Sequence, residues 1–131
     1  MCGFAYVFSD DLGLQDFRAA FERSGLEGRG GDGSRIEQIS KSEIGGHALF
    51  SVTGEMPIVQ PFHLQSSTLL FNGEIYNYQC LADEHSLEIA GSDTVLLGRL
   101  IEKMGFEEAI SKLDGAFAIL YLDHSSGDIW L

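Results

Sequence analysis

The chain has 131 residues, which is the length of one ordinary domain. Hydrophobic residues make up 44% and charged residues 21%, as in globular proteins, so disorder of the whole chain is excluded. Eight Lys and Arg against 20 Asp and Glu give a net charge of −12, which argues against nucleic acids and anionic membranes as partners. The sequence contains neither a membrane-spanning apolar stretch nor a signal-peptide pattern, so we expect a cytoplasmic protein.

The first half of the chain is predicted to hold one helix among several strands. Apolar runs containing aromatic or β-branched residues indicate strands, and apolar residues spaced by three and four indicate a helix. The predicted elements are, in order, strand Cys2–Phe8, helix Gln15–Ser24, loop Gly28–Gly33, strand Ile36–Ser40, turn Glu43–Gly46 and strand His47–Thr53.

The second half adds helices and a closing hairpin. Ser92 is a suitable N-cap for a helix whose apolar face runs to Gly105. The predicted elements are loop Gly54–Gln65, strand Thr68–Phe71 ending at a polar Asn72-Gly73 turn, the helix after Ser92, helix Phe106–Leu113, and hairpin strands Ala116–Leu122 and Asp128–Leu131. Strict alternation of strands and helices is absent, which predicts an α+β fold with a largely antiparallel sheet.

Neighbouring residues and spacing argue against two common kinds of binding site. Gly28–Gly33 matches the G-x-G-x-x-G pattern of dinucleotide-binding loops, but a helix precedes it and a strand follows, the reverse of the order that such a loop requires. The four histidines and two cysteines lack metal-ligand spacing. We therefore predict no metal and no cofactor in this domain.

Cys2 and Asn72-Gly73 are the candidate catalytic residues. Removal of Met1 would give Cys2 a free α-amine beside its thiol, and such an amine can act as a general base for the adjacent nucleophile. Asn72 offers a side-chain amide donor, and Gly73 lets its backbone N–H approach a ligand closely. Two such donors suit an oxyanion.

Six motifs, in order along the chain, resemble the class II glutamine amidotransferase domain of asparagine synthetase-like enzymes. The most specific of them, Phe71–Tyr78, matches the family motif residue for residue. The other five are Met1–Gly3, Arg29–Ser34, His47–Ser51 with Gln60-Pro61, Gly91–Thr94 and Leu113–Ala118. The resemblance covers residues 1–131 and implies a four-layer αββα sandwich with two antiparallel sheets.

The resemblance also implies a reaction. Glutamine would be hydrolysed through a γ-glutamyl thioester on Cys2, with the oxyanion held by Asn72 and Gly73. Asp93 would pair with the substrate ammonium group, Glu74 would help to orient the substrate, and Val52 and position 49 would contact it. The ammonia would pass to an ATP- and Mg²⁺-dependent synthetase domain or subunit, and a homodimer is an open possibility. The chain ends at Ile129–Leu131 within a strand-like run, so we expect a fragment, or a stand-alone copy lacking the synthetase domain.

One departure from the family motif concerns the substrate. Leu49 stands where the family carries an Arg that would bind the α-carboxylate of glutamine, and leucine offers no hydrogen-bond donor. Arg29 or Arg35 is a candidate replacement. Two alternatives therefore stay open: a non-catalytic glutaminase-like module that binds or regulates a synthetase, and an N-terminal-nucleophile amidase acting on an amide without an α-carboxylate.

Overall fold

The computed structural model describes residues 2–29, 31–50 and 58–131, which form two antiparallel sheets flanked by helices. The strands are β1 (Gly3–Phe8), β2 (Gly33–Ser40), β3 (Glu43–Leu49), β4 (Phe62–His63), β5 (Ser67–Ile75), β6 (Gly115–Asp123) and β7 (Ile129–Trp130). The helices are α1 (Leu14–Arg23), α2 (Tyr78–His85), α3 (Asp93–Met104) and α4 (Phe106–Ser111), with a short 3-10 turn at Leu26–Arg29. The strand orders are β1-β3-β2 and β4-β5-β6-β7. Among the described residues, no helix is both long and apolar enough to cross a membrane.

The sheets and helices stack in four layers. The aromatic rings of α1, Phe17 and Phe21, pack on Ile44 and Ala48 of the first sheet. Helices α2 to α4 cover the outer face of the second sheet. The inner faces meet through side chains of both sheets, namely Phe4, Tyr6, Ile39, Leu70, Leu120 and Leu122. Alternate residues of each strand therefore serve different layers, as the period of two requires, and the predicted αββα sandwich is confirmed.

The predicted turn at Glu43–Gly46 is wrong, because β3 begins at Glu43 and continues through both glycines. A Cβ on Gly45 would lie 2.9 Å from Ile39 on the neighbouring strand and 3.3 Å from Leu70 of the second sheet, and one on Gly46 would lie 3.0 Å from the Phe21 ring of α1. The glycines are there because the layers on either side of β3 approach closely. The turn falls just before β3, at residues 41–42.

Strand β5 also runs further than predicted. It passes through Asn72-Gly73 to Ile75, because Asn72 pairs with Ala118 and Gly73 with Phe117 on β6. A local turn signal is thus overridden by pairing with a distant strand. The predicted loop Gly54–Gln65 contains the two-residue strand β4 in its described part, while its first residues and the end of the predicted strand His47–Thr53 lie outside the described residues.

Candidate active site

Strand β5 extends beyond its neighbour β4, which pairs only with Thr68 and Leu69. Beyond β4, two buried side chains form hydrogen bonds with Phe71, the next residue whose backbone faces this edge of β5. The backbone N–H of Phe71 donates to Oε1 of Gln60 at 2.6 Å, and Nε2 of His47 lies 3.2 Å from the carbonyl oxygen of Phe71. Both backbone polar groups of Phe71 are therefore hydrogen-bonded without a neighbouring strand.

The same edge continues through Gly73 to Ile75. Edge-facing residues alternate along an antiparallel strand, so the N–H groups of Phe71, Gly73 and Ile75 all point away from β6. The N–H of Ile75 donates to Oδ2 of Asp93 at 3.3 Å. Gly73 lies between these two bonded positions and lines a cavity, so its N–H is directed at that cavity.

This cavity, of about 310 Å³, lies at one end of the sandwich. Its walls come from the residue before β1, the end of β3, residues 58 and 60 before β4, the end of β5, the start of β6 and the start of α3. It brings together six of the seven predicted site residues: Cys2, Leu49, Asn72, Gly73, Glu74 and Asp93. Val52, the seventh, lies outside the described residues.

The half-buried thiol of Cys2 is hydrogen-bonded to the backbone at the end of β3. Its Sγ lies 3.0 Å from the carbonyl oxygen of Phe50, to which it can donate, and accepts from the N–H of Phe50 at 3.1 Å. Since Phe50 directly follows Leu49, these contacts fix the sulfur beside the position where the sequence departs from the family motif.

Gly73 occupies a position that only glycine fits. Its φ is +144°, and a Cβ would lie 2.2 Å from the carbonyl oxygen of Ala116 and 2.5 Å from Cα of Phe117. Asn72, one residue earlier, is half-buried and shares the inward strand face with Leu70. The Asn72 side chain and the Gly73 N–H therefore reach the cavity from adjacent residues.

Asp93 places a carboxylate in the cavity wall at the N-terminus of α3. Ser92 caps that helix by accepting from the N–H of Val95, as predicted, and Asp93 is only 4% exposed. Its Oδ1 accepts from the N–H of Thr94 at 2.8 Å. A helix N-terminus favours a negative charge, so the fold itself stabilises a carboxylate here.

The charged groups that line the described part of the cavity are both acidic, Glu74 and Asp93. Leu49 supplies an apolar wall. Arg35 lines a smaller cavity, of about 110 Å³, which shares Leu49 as a wall, but its guanidinium forms an ion pair with Glu37 at 2.6 Å. The described lining thus suits an ammonium group better than a carboxylate.

Sequence reasoning gave no role to Asn77, at the end of the most specific motif. Its side chain donates to the carbonyl oxygen of Lys112 at 2.9 Å and accepts from the N–H of Asp114 at 3.0 Å. Asn77 therefore ties the turn after β5 to the segment that enters β6, and its place in the motif has a structural reason.

The fold is shared with a known class of enzyme. Glutamine phosphoribosylpyrophosphate amidotransferase from B. subtilis superposes with a TM-score of 0.64 at 21% identity, over 95% of this chain and 35% of that one. The two chains therefore share a fold over nearly the whole length of this one.

The family model described as "glutamine amidotransferase domain" matches residues 1–131, and the chain belongs to that family. Among curated proteins, the glutamine-hydrolysing asparagine synthetase of Mesocricetus auratus is 30% identical and that of Homo sapiens 29% identical over 140 residues, which cover the whole of this chain. The chain spans about a quarter (24%) of the length of these relatives.

Proposed function

We propose that this domain hydrolyses glutamine to glutamate and ammonia through a thioester on Cys2. The observation that carries the proposal is the convergence of a thiol, the Asn72-Gly73 donors and a buried carboxylate on one cavity from separate segments of the chain. Family membership and the relatives' printed name, glutamine-hydrolysing asparagine synthetase, support the same reaction.

In the first half of the reaction, Sγ of Cys2 attacks the side-chain amide carbon of glutamine. The carbonyl oxygen becomes an oxyanion that accepts hydrogen bonds from the Gly73 N–H and the Asn72 amide. The C–N bond then breaks, and the nitrogen leaves as ammonia after taking up the proton that the thiol gave up. A γ-glutamyl thioester remains on Cys2.

In the second half, water attacks the thioester carbon and passes again through an oxyanion at the same donors. The C–S bond breaks, glutamate leaves and the Cys2 thiol is regenerated. The α-amine of Cys2, which removal of Met1 exposes, carries the proton in both halves, because its usual pKa of about 7.7–8.0 suits a general base near neutral pH.

The substrate is oriented by its own ammonium group. Asp93, buried and held by two backbone N–H groups, is the charge partner, and Glu74 adds a second carboxylate to the same cavity. The ammonia passes to a synthetase domain or subunit, where ATP and Mg²⁺ serve amide formation. The relatives' printed name suggests asparagine as the product of that partner.

The experiment measures the release of ammonia and glutamate from glutamine. The protein used is one that N-terminal sequencing shows to begin at Cys2. Wild type should release both products in equal amounts, and Cys2→Ala should release neither. The matched control is Cys80→Ala, since Cys80 is exposed on α2. Turnover that survives in Cys2→Ala would end the proposal. A wild type that binds glutamine without turnover would indicate the non-catalytic alternative.

A further inference from the structure

We infer that Gln60 and His47 are positioning residues that hold the β5 backbone so that Asn72 and Gly73 face the Cys2 thiol. This inference rests on the proposed glutaminase reaction and assigns the two side chains a role in it. Neither side chain touches the reacting atoms in the proposed mechanism. Both act through Phe71, whose backbone they hydrogen-bond.

Gln60 holds one side of that residue. Its side chain is 3% exposed, and its Oε1 accepts from the Phe71 N–H at 2.6 Å. Phe71 lies beyond the reach of β4, so this N–H has no strand carbonyl to bond on that side. An edge N–H buried without a partner is unfavourable and would be free to turn toward the cavity. Gln60 removes that freedom one residue before Asn72.

His47 bonds the carbonyl group of Phe71 and thereby connects the two sheets. Its ring is 1% exposed, and its Nε2 lies 3.2 Å from the Phe71 carbonyl oxygen. Burial lowers the pKa of His47 to about 4, so the ring is neutral at neutral pH and can donate to that oxygen from Nε2–H. The carbonyl belongs to the peptide unit that leads into Asn72, so its orientation sets that of the Asn72 backbone N–H.

One strand thereby sets the position of both halves of the site. β3 carries His47, which bonds to Phe71, and is followed by Phe50, whose backbone bonds to the Cys2 thiol. The distance between the Cys2 thiol and the oxyanion donors then depends on the short segment from His47 to Phe50, at the end of a buried strand. Because a misplacement of about 1 Å can slow catalysis about 100-fold, loosening this connection should act on the chemical step.

Two pairs of variants test the inference in the chain that begins at Cys2. Gln60→Met keeps the length of the side chain but replaces the amide oxygen with a thioether sulfur, which is a weak acceptor, whereas Gln60→Glu keeps a strong acceptor. His47→Leu removes the donor, whereas His47→Gln keeps one. The control is Thr68→Val, on the same strand, where a fully buried hydroxyl lies 3.0 Å from His63 Nδ1 and 2.8 Å from His124 Nε2.

We expect Gln60→Met and His47→Leu each to lower kcat for glutamine about tenfold or more, with KM within about twofold of wild type. Each conservative partner should recover most of the lost kcat. Thr68→Val should lower thermal stability and keep kcat. A folded Gln60→Met and a folded His47→Leu with wild-type kcat, or with a change in KM alone, would overturn the inference.

A second measurement needs no variant. In wild type, hydrogen exchange measured by NMR should find the Phe71 amide as protected as the β5 amides that bond to β6. Rapid exchange at Phe71 would overturn the inference even if the variants failed to fold. A wild type without glutamine turnover would instead contradict the proposed function, so the two failures are distinguishable.

Discussion

The N–H of Ile75 donates to Oδ2 of Asp93 at 3.3 Å, which joins the end of β5 to the first residue of α3. The carboxylate at the helix N-terminus is therefore fixed relative to Asn72 and Gly73, which lie three and two residues before Ile75. A substrate ammonium that binds Asp93 would thus be placed at a defined distance from the oxyanion donors. In the proposed reaction, Asp93 would bind the substrate, and Asn72 and Gly73 would stabilise the charge that develops on it.

Asp93→Asn should raise KM for glutamine and leave kcat nearly unchanged. The amide oxygen of asparagine can accept from one of the two backbone N–H groups that the Asp93 carboxylate bonds, while the charge partner of the ammonium is lost. Loss of a buried charge partner is worth about 2–5 kcal/mol, so we expect KM to rise at least about 30-fold. Steady-state kinetics measures this, with Asp123→Asn, at the last residue of β6, as the control. A normal KM in Asp93→Asn would remove Asp93 from the site.

Asn72→Ala should show the opposite pattern. An oxyanion donor acts on charge that develops in the transition state, so its loss should lower kcat about 10²–10³-fold with little change in KM. The same kinetic measurement decides the matter. Full kcat with a raised KM would show that Asn72 binds the substrate in its ground state.

Gly73→Ala should destabilise the fold by roughly 2–5 kcal/mol, because a positive φ is combined with a clash against β6. Gly127→Ala is the matched control: its φ is +81°, but a Cβ there would have no atom within 4 Å. It should be destabilised by only about 1–2 kcal/mol, the strain of the backbone conformation alone. Chemical denaturation of the two variants measures the difference. Equal losses would show that the close approach of β5 and β6 is not what selects glycine.

Stability should fall as the pH is lowered from 7 to 4, in part because of His47. Burial lowers the pKa of His47 to about 4 in the folded chain, against 6.5 for an ordinary histidine. Between these values the unfolded chain binds the proton and the folded chain does not, so acid favours unfolding. The contribution is about 3 kcal/mol over this range. His47→Leu should lose this part of the pH dependence, whereas His124→Leu should keep it. Parallel curves for wild type and His47→Leu would contradict the assignment.

Leu49→Arg should strengthen glutamine binding. The described cavity lining offers no cation to the α-carboxylate, and a charge partner there is worth about 2–5 kcal/mol, or roughly 30- to 4000-fold in affinity. Calorimetry in a Cys2→Ala background measures binding without turnover. The matched ligand is 4-aminobutanamide, which is glutamine without its carboxylate. Wild type should bind both ligands similarly, and Leu49→Arg should prefer glutamine.

Arg35 provides the internal control for that experiment. If glutamine binds wild type tightly and Arg35→Ala weakens it, then Arg35 has left its ion pair with Glu37 to bind the carboxylate. Arg29→Ala tests the other candidate. Tight wild-type binding that neither change affects would show that position 49 is not where the carboxylate is recognised.

Local patterns predicted most strands and helices and the α+β class, whereas the four layers and the composition of the site were implied by the family resemblance. Apolar runs indicated the strands, Ser92 indicated the start of α3, and the motif from Phe71 to Tyr78 contains residues that line the cavity. The prediction that was wrong concerned a pair of glycines. Gly45 and Gly46 resemble a turn in sequence, but they lie within β3, where Leu70 of the second sheet and Phe21 of α1 pack against its two faces.

The roles of Gln60 and His47 could not be derived from local sequence. A glutamine in a loop and a histidine on a strand are ordinary features, and the two become a pair only because β4 is too short to cover the edge of β5 at Phe71. Strand length and the approach of two sheets are tertiary properties. The motif resemblance located both residues without giving them a role.

The most direct test of the central claim is covalent labelling of the nucleophile. Chain that begins at Cys2 is treated with the glutamine analogue 6-diazo-5-oxo-norleucine and digested, and the peptides carrying Cys2 and Cys80 are compared by mass spectrometry. The account predicts label on Cys2 alone, with glutamine slowing its appearance. Label on Cys80 with Cys2 unmodified would contradict the assignment of Cys2 as the nucleophile.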